Sequence, residues 1–187
     1  FFNLFINNGF LLITSVGMTF VILTEGIDLS VGAVIALTSV ASAALLENLG
    51  MSPLLVIPLM LLMGTLFGGT MGAIIHFFKV QPFIVTLAGM FFARGMCFFI
   101  SLDAIPIHDP FYRTMALSRI QLPFFERAFL SLGAVIAVVV LVVGMYIANF
   151  TRYGRTIYAI GGNEQSALLM GLPVGRVKVS VYALNGF

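Results

Sequence analysis

Long apolar runs with few charges dictate the environment of this chain. One run covers residues 54–78, and another covers residues 128–150 without a charged side chain. Each is long enough to cross a bilayer, which takes about 20 residues in a helix. Charged residues are only 9% of the chain, whereas soluble domains carry about a quarter. The sequence therefore predicts an integral membrane protein, because a soluble domain of this size could not bury so much apolar surface.

The apolar segments are predicted to be helices, because backbone exposed to lipid must satisfy its hydrogen bonds within its own segment. The two-residue alternation of barrel strands is absent. The segments cover residues 10–23, 31–46, 54–78, 83–100 and 128–150, and a sixth begins near Val177. We expect an all-α, polytopic transmembrane helix bundle, one domain over residues 1–187. Because the chain starts and stops within this pattern, we also expect a fragment truncated at both ends.

Two polar connections, residues 101–127 and residues 151–178, carry most of the charges. One span separates them, so they are predicted to lie on opposite sides of the membrane. Basic residues are enriched on the cytoplasmic side, and the second connection has four against three in the first. Lys79, two spans earlier, falls on the same side as the second connection. Residues 151–178 are therefore predicted to be cytoplasmic.

Residues 24–32 join the first two segments and place two carboxylates, Glu25 and Asp28, beside apolar runs. Two glycines there permit backbone that a continuous helix does not use, and Ser30 or Asp28 can cap the next helix. Irregular backbone at membrane depth is tolerated only where it is buried or lines a cavity. Two interpretations stay open: a broken or re-entrant segment that lines a pathway, and an interfacial loop with a capping acid.

Three glycines at four-residue spacing, Gly64, Gly68 and Gly72, share one face of the third segment. Such spacing lets a neighbouring helix pack closely. We expect that neighbour within the chain, and a second subunit is the alternative.

Arg94 interrupts the fourth segment. Arginine in a membrane helix faces protein, water or a headgroup. Because Arg94 lies about two helical turns from Ser101, we expect its side chain to extend to the interface. A role in a pathway is the alternative.

The second connection contains a predicted short helix over residues 164–170. Asn163 is its predicted N-cap, and Glu164 is favourable at its positive end. Gly171 is a stop signal. At 1.5 Å per residue the helix is about 10 Å long and cannot span a membrane. It either docks a soluble partner or lies on the headgroups.

Other functional classes find little support. The small net charge of +2 is spread over loops and indicates no nucleic-acid surface. His76, His108 and Cys97 do not form a metal-binding pattern. No serine nucleophile with a partner and no HExxH motif is present, so no catalytic or metal site is predicted.

Four motifs of the sequence resemble those of a known family. GIDLSVG at residues 26–32, followed by an apolar helix, resembles the signature of the ribose-type sugar permeases of ABC importers. YGRTIYAIGGNE at residues 153–164, continuing to Gly171, is similar to their cytoplasmic coupling segment. TLAGMFFARG at residues 86–95 and IPIHDP at residues 105–110 most resemble a galactofuranose-type permease. The resemblance covers essentially the whole chain.

The resemblance implies a multi-pass permease subunit of a bacterial inner-membrane importer that takes up a monosaccharide, galactofuranose or a related sugar. It implies cytoplasmic ABC ATPase subunits, a periplasmic sugar-binding protein and a second permease subunit, identical or different, as partners in a lipid membrane. ATP and Mg would bind to the ATPase, and this chain would need no cofactor. Residues 101–127 would form a periplasmic loop.

The resemblance also implies site residues. The contacts with the ATPase would come from Asn163, Glu164, Ala167, Leu168, Leu169, Met170 and Gly171. The candidates for the translocation path are Asp28, Ser30, Glu25 and Arg94. The family has a small residue at Glu25, so this carboxylate either alters the cavity or pairs with a base such as Arg94. An ion-coupled secondary transporter is the alternative function, because it also uses broken helices and buried carboxylates.

Overall fold

A computed structural model of the chain describes residues 2–117, 119–121 and 129–187, and they form a helix bundle. In chain order the elements are α1 (Phe2–Leu23), α2 (Val31–Ala43, continued by a π-helical turn at Ala44–Asn48), α3 (Pro53–Phe78), α4 (Pro82–Ile100), α5 (Pro110–Leu117), β1 (Arg119–Gln121), β2 (Phe129–Ser131), α6 (Leu132–Phe150), α7 (Arg152–Gly162), α8 (Glu164–Leu169) and α9 (Val174–Gly186). β1 and β2 form one short antiparallel pair. The predicted all-α membrane bundle is confirmed.

The described residues include four helical segments that are long and apolar enough to cross a membrane. They are Val31–Asn48, Pro53–Phe78, Pro82–Ile100 and Leu132–Phe150, and Asn8–Leu23 is a shorter apolar helix. Pro53 and Pro82 each stand in the first turn of a helix, where a missing N–H costs nothing.

Three boundaries differ from the predictions. Residues 129–131 form β2 rather than the start of the fifth span, and Ser131 then caps α6 by accepting from Ala134 N at 3.2 Å. The predicted loop over residues 101–127 contains α5 and β1, while Glu126 and Arg127 lie outside the described residues. Gly161 and Gly162 form a glycine pair, which by itself predicts a turn, but in the structure they are the last two residues of α7.

The most extensive helix contact among the described residues joins α3 and α9. Gly64, Gly68 and Gly72 lie on the face of α3 that meets α9. A Cβ atom at Gly64 would overlap the carbonyl oxygen of Gly186, and one at Gly68 would overlap the carbonyl oxygen of Tyr182. Their packing partner is therefore a helix of the same chain, and it approaches to backbone contact.

The two polar connections lie at opposite ends of the bundle. At the C-terminal end of α3, the His76 ring lies against Gly175, the second residue of α9. At the other end, Glu47 follows α2 and its Oε1 accepts a hydrogen bond of 2.6 Å from His108 N. Since α3 connects these two ends, residues 151–178 and residues 101–109 are separated by the length of a span.

Candidate functional site

The helix break between α1 and α2 begins with a tight backbone turn. After Leu23, Thr24 N donates to Val21 O at 3.1 Å and Glu25 N donates to Ile22 O at 2.9 Å. Glu25 then adopts a φ of 58°, in the left-handed region, which costs a non-glycine residue roughly 1–2 kcal/mol. Helix α1 ends here because a left-handed residue turns the chain away from the helix axis.

Burial alternates along the break. Thr24, Gly26, Asp28 and Ser30 are buried, whereas the three residues between them are exposed. A period of two is the pattern of an extended chain with one packed face and one open face. The buried face lies on α1 and α9: a Cβ atom at Gly26 would meet the Tyr182 hydroxyl at 2.7 Å and Val21 Cγ1 at 3.0 Å.

Asp28 is the centre of the buried face, with a relative exposure of 6%. Its Oδ1 accepts from Ser30 N at 2.8 Å and from the Ser30 hydroxyl at 2.6 Å. Its Oδ2 accepts from Asn185 Nδ2 at 2.7 Å. Both carboxylate oxygens are therefore satisfied by the protein, as burial of a polar group requires.

Ser30 occupies the N-cap position of α2, but its side chain does not cap the helix. Asp28 accepts from the Ser30 backbone N–H, which precedes the first turn of α2, so neither of the two caps predicted from sequence forms in the structure. Asp28 and Ser30 thus form one hydrogen-bonded unit immediately before α2.

Two residues of α9 hold the break in place, and neither is among the site residues predicted from the sequence. Asn185 binds Asp28, and the Tyr182 hydroxyl donates to Ile27 O at 3.3 Å. Asn185 could have been predicted as a contact residue, because it is a polar residue within an apolar segment and polar groups at membrane depth pair with one another. Asn185 lies beside Gly17 of α1, and the next residue, Gly186, packs on Gly64 near the middle of α3. The Asp28 end of the break therefore lies near the middle of the bundle.

The other two path candidates lie elsewhere. Glu25 and Arg94 are both exposed. Arg94 follows Ala93, which is fully buried against α2, and so stands on the outer part of α4. Neither side chain forms an ion pair within the described part of the chain, so the suggested pairing of Glu25 with Arg94 is not found.

The second connection forms two helices rather than one. α7 begins at a cap in which Thr151 Oγ1 accepts from Gly154 N at 3.1 Å. Its Ile157 and Ile160 are buried in the core. Its Gly161 lies against the carbonyl oxygen of Leu23, where a Cβ atom would overlap. The glycine predicted as a turn is thus a close contact between α7 and the end of α1.

α8 is a short helix with well-defined ends, as predicted. Asn163 is the N-cap, and its Oδ1 accepts from Ser166 N at 2.8 Å. At the other end Gly171 has a φ of 75° and donates to Leu168 O at 2.9 Å. Glycine has no steric penalty in this conformation, which ends many helices.

One side of α8 is anchored and the other is open. Ala167 has no exposed surface, and the Glu164 carboxylate forms an ion pair with Lys178 of α9. Leu168, Leu169 and Met170, which we call the apolar knob, have exposures of 54%, 90% and 66%. The knob therefore projects from a helix that is fixed to α9.

A further contact joins α7 to α9. The Tyr153 and Ser180 hydroxyls are 2.7 Å apart. Burial raises the pKa of Tyr153 above its usual value, although the Ser180 hydrogen bond opposes this. Tyr153 therefore stays neutral at physiological pH and links α7 to α9 as an uncharged hydrogen-bonding group.

Comparison with known proteins identifies the family. A family model described as the branched-chain amino acid transport system permease component matches residues 1–187. The chain belongs to this permease family. Together with the relatives described next, this match confirms the resemblance to ABC sugar permeases that the motifs predict.

Several curated relatives of this permease are similar over nearly all of its length. The inner membrane ABC transporter permease protein YjfF of Escherichia coli K12 is 46% identical over 98% of this chain and 55% of YjfF. The fructose import permease protein FruG of Bifidobacterium longum is 44% identical over 96% of this chain and 54% of FruG. The ribose import permease protein RbsC of Haemophilus influenzae is 42% identical over 94% of this chain and 53% of RbsC.

The permease spans about half the length of these relatives. No solved structure matches it. Its relatives are named as permeases, which are transport components rather than enzymes. Together with the apolar helices, the comparison shows a multi-pass protein of the inner membrane.

Proposed function

We propose that the full-length protein is the permease subunit of an ATP-driven importer that carries a monosaccharide across the bacterial inner membrane. Its relatives include permeases named for fructose import and ribose import. A galactofuranose-type cargo is the more specific proposal, on the motifs at residues 86–95 and 105–110. Few charges lie within the spans, which suits a neutral sugar better than an ion.

The observation that carries the proposal is the anchored helix α8 with its exposed apolar knob. An exposed apolar cluster on a fixed support is typical of a surface that binds a partner. We propose that a cytoplasmic ABC ATPase, with its own ATP and Mg, binds the knob. The residues involved are Asn163, Glu164, Ala167, Leu168, Leu169, Met170 and Gly171. The wider assembly includes a second permease subunit and a periplasmic sugar-binding protein.

The anchors also supply a mechanical route. A displacement of α8 reaches α9 through the Glu164–Lys178 pair, and α9 binds the helix break through Asn185. Lys178 and Asn185 are seven positions apart, or about 10 Å along a helix. ATP-driven movement at the knob is therefore passed to the middle of the bundle by one short helix.

Leu169→Asp in the full-length complex tests the docking surface. A charge at the most exposed residue of the knob should weaken ATPase binding by about 1–3 kcal/mol, which corresponds to about 5- to 150-fold. Co-purification of the ATPase and ATP-dependent sugar uptake should both fall. Leu102→Asp is the matched control, because Leu102 is 84% exposed in the opposite connection. Equal ATPase binding by both variants would contradict the docking assignment.

Gly171→Val tests coupling. Valine at a φ of 75° is strained by roughly 1–2 kcal/mol, and the end of α8 should shift. We expect ATP hydrolysis to continue with much less uptake per ATP. Gly162→Val is the control, because Gly162 also has open space around its Cβ position but no positive φ. Unchanged sugar-stimulated hydrolysis and uptake in Gly171→Val would count against this role.

Uptake driven by a proton or sodium gradient without the ATPase would favour a secondary transporter.

A further inference from the structure

In the part of the chain that the structure describes, three consecutive backbone N–H groups of the helix break are unpaired. Within the described residues, the backbone N–H groups of Ile27, Asp28 and Leu29 have no hydrogen-bond acceptor. Buried N–H groups are almost always paired. Three consecutive free donors therefore indicate contact with water or with a ligand.

Lipid cannot cover this part of the break. Each unpaired backbone group costs several kcal/mol in hydrocarbon, and a carboxylate at membrane depth is also expensive. The break carries both, since Glu25 is exposed beside the unpaired amides. Asn185 and Gly186 place the Asp28 end of the break near the middle of α3, while its Thr24 end lies near Gly161 of α7. A polar cavity is the environment that satisfies these groups.

We propose that this open face, formed by the backbone of residues 25–29 and the side chains of Glu25, Ile27 and Leu29, is the surface that contacts the sugar in the translocation path. The inference rests on the proposed function for the class of solute. It assigns Asp28 and Ser30 to the supporting face, because their polar atoms bind each other and Asn185.

The chemistry of the open face suits a neutral polyol. Free N–H groups donate to hydroxyl oxygens, and the Glu25 carboxylate accepts from hydroxyl protons. Ile27 and Leu29, which are 48% and 39% exposed, offer apolar contact to the C–H face of a sugar ring.

Cysteine accessibility tests the assignment in the full-length complex in membrane vesicles. In a cysteine-free parent with Cys97→Ala, single variants Glu25→Cys, Ile27→Cys and Leu29→Cys represent the open face. Thr24→Cys and Ser30→Cys are matched controls on the buried face. A small hydrophilic methanethiosulfonate reagent should modify the first three about tenfold faster, because reaction needs an accessible thiolate.

Ribose, fructose and galactose serve as the protecting solutes. The sugar that the parent imports should slow modification of Ile27→Cys and Leu29→Cys severalfold. Equal rates at all five positions would show that accessibility does not alternate, and no reaction at any position would show that the face is covered. Either result would overturn the proposal. Alternating rates that no imported sugar changes would also overturn it. Uptake by the parent is measured in the same vesicles, so a failure of the proposed function is seen separately from the labelling pattern.

Discussion

At the scale of single residues, Asp28 is best understood as a structural carboxylate. Three donors from two other residues occupy its two oxygens, and only 6% of the residue is exposed. A hydrogen bond to a charged group contributes about 1.5–3 kcal/mol. Asp28 therefore holds the break in position, and its oxygens are already occupied by donors from the protein.

The pair of Asp28 and Asn185 allows a test by exchange. Asn185→Asp places a second carboxylate against Asp28 and removes the donor, so we expect a loss of more than about 2 kcal/mol in stability. Adding Asp28→Asn restores a pair of one carboxylate, now at position 185, and one amide, now at position 28. The amide oxygen at position 28 can still accept from Ser30. The double variant should recover to within about 1 kcal/mol of the parent. The midpoint of thermal unfolding in detergent measures both.

Asp28→Asn alone gives the complementary result. Asn185 can turn its amide so that its Oδ1, which has no partner in the described structure, accepts from the amide introduced at position 28. We expect normal membrane insertion and reduced uptake, because the break shifts when its charged acceptor is lost. Normal uptake would show that Asp28 has only a local structural role before α2. Poor insertion would show that its charge is needed for folding.

The sequence predicted the break but not which of its faces is packed. Two glycines and two carboxylates between apolar runs indicate irregular backbone, and local chemistry is enough for that. The packed face depends on Asn185, which is 157 positions from Asp28. No local pattern encodes a contact at that separation, so the sequence predicts Asp28 and Ser30 as path candidates without predicting that they are hydrogen-bonded within the protein.

At the scale of helices, the contact between α3 and α9 depends on the absence of side chains at the glycine positions. The four-residue spacing predicted close packing, and periodicity within one helix is sufficient for that expectation. The identity of α9 as the neighbour was not predictable, because spacing on α3 contains no information about its partner. Extensive dispersion contacts between the two backbones follow from this close approach.

Adjacent glycines of α3 provide a matched pair of substitutions. Gly68→Ala places a methyl group on the Tyr182 carbonyl and must separate the helices, whereas Gly69→Ala places one 3.6 Å from Ala183 Cβ, an ordinary contact. Overpacking costs about 1–3 kcal/mol, so Gly68→Ala should lower the thermal midpoint. Gly69→Ala should leave it unchanged or raise it, because alanine favours helix. Equal midpoints would mean that α9 does not pack on this face.

At the scale of the whole molecule, the two ends of the bundle differ in their elements and in their charges. One end holds α7, α8 and the start of α9, and it carries Lys79 and the four basic residues of the second connection. The other end holds the contact between Glu47 and His108. The separation of the ends follows from the contacts, whereas the assignment of the basic end to the cytoplasm follows from the charge bias.

Cysteine labelling in intact cells tests that orientation. In the cysteine-free parent, Gln165→Cys on α8 and Ala104→Cys in the first connection are both exposed positions. A membrane-impermeant maleimide should label Ala104→Cys in cells whose outer membrane is permeabilised, and should label Gln165→Cys only in inverted inner-membrane vesicles. Labelling of Gln165→Cys from the periplasmic side would place the knob where no ATP-hydrolysing partner exists. The coupling of α8 through α9 to the helix break would then have no source of energy in the cytoplasm.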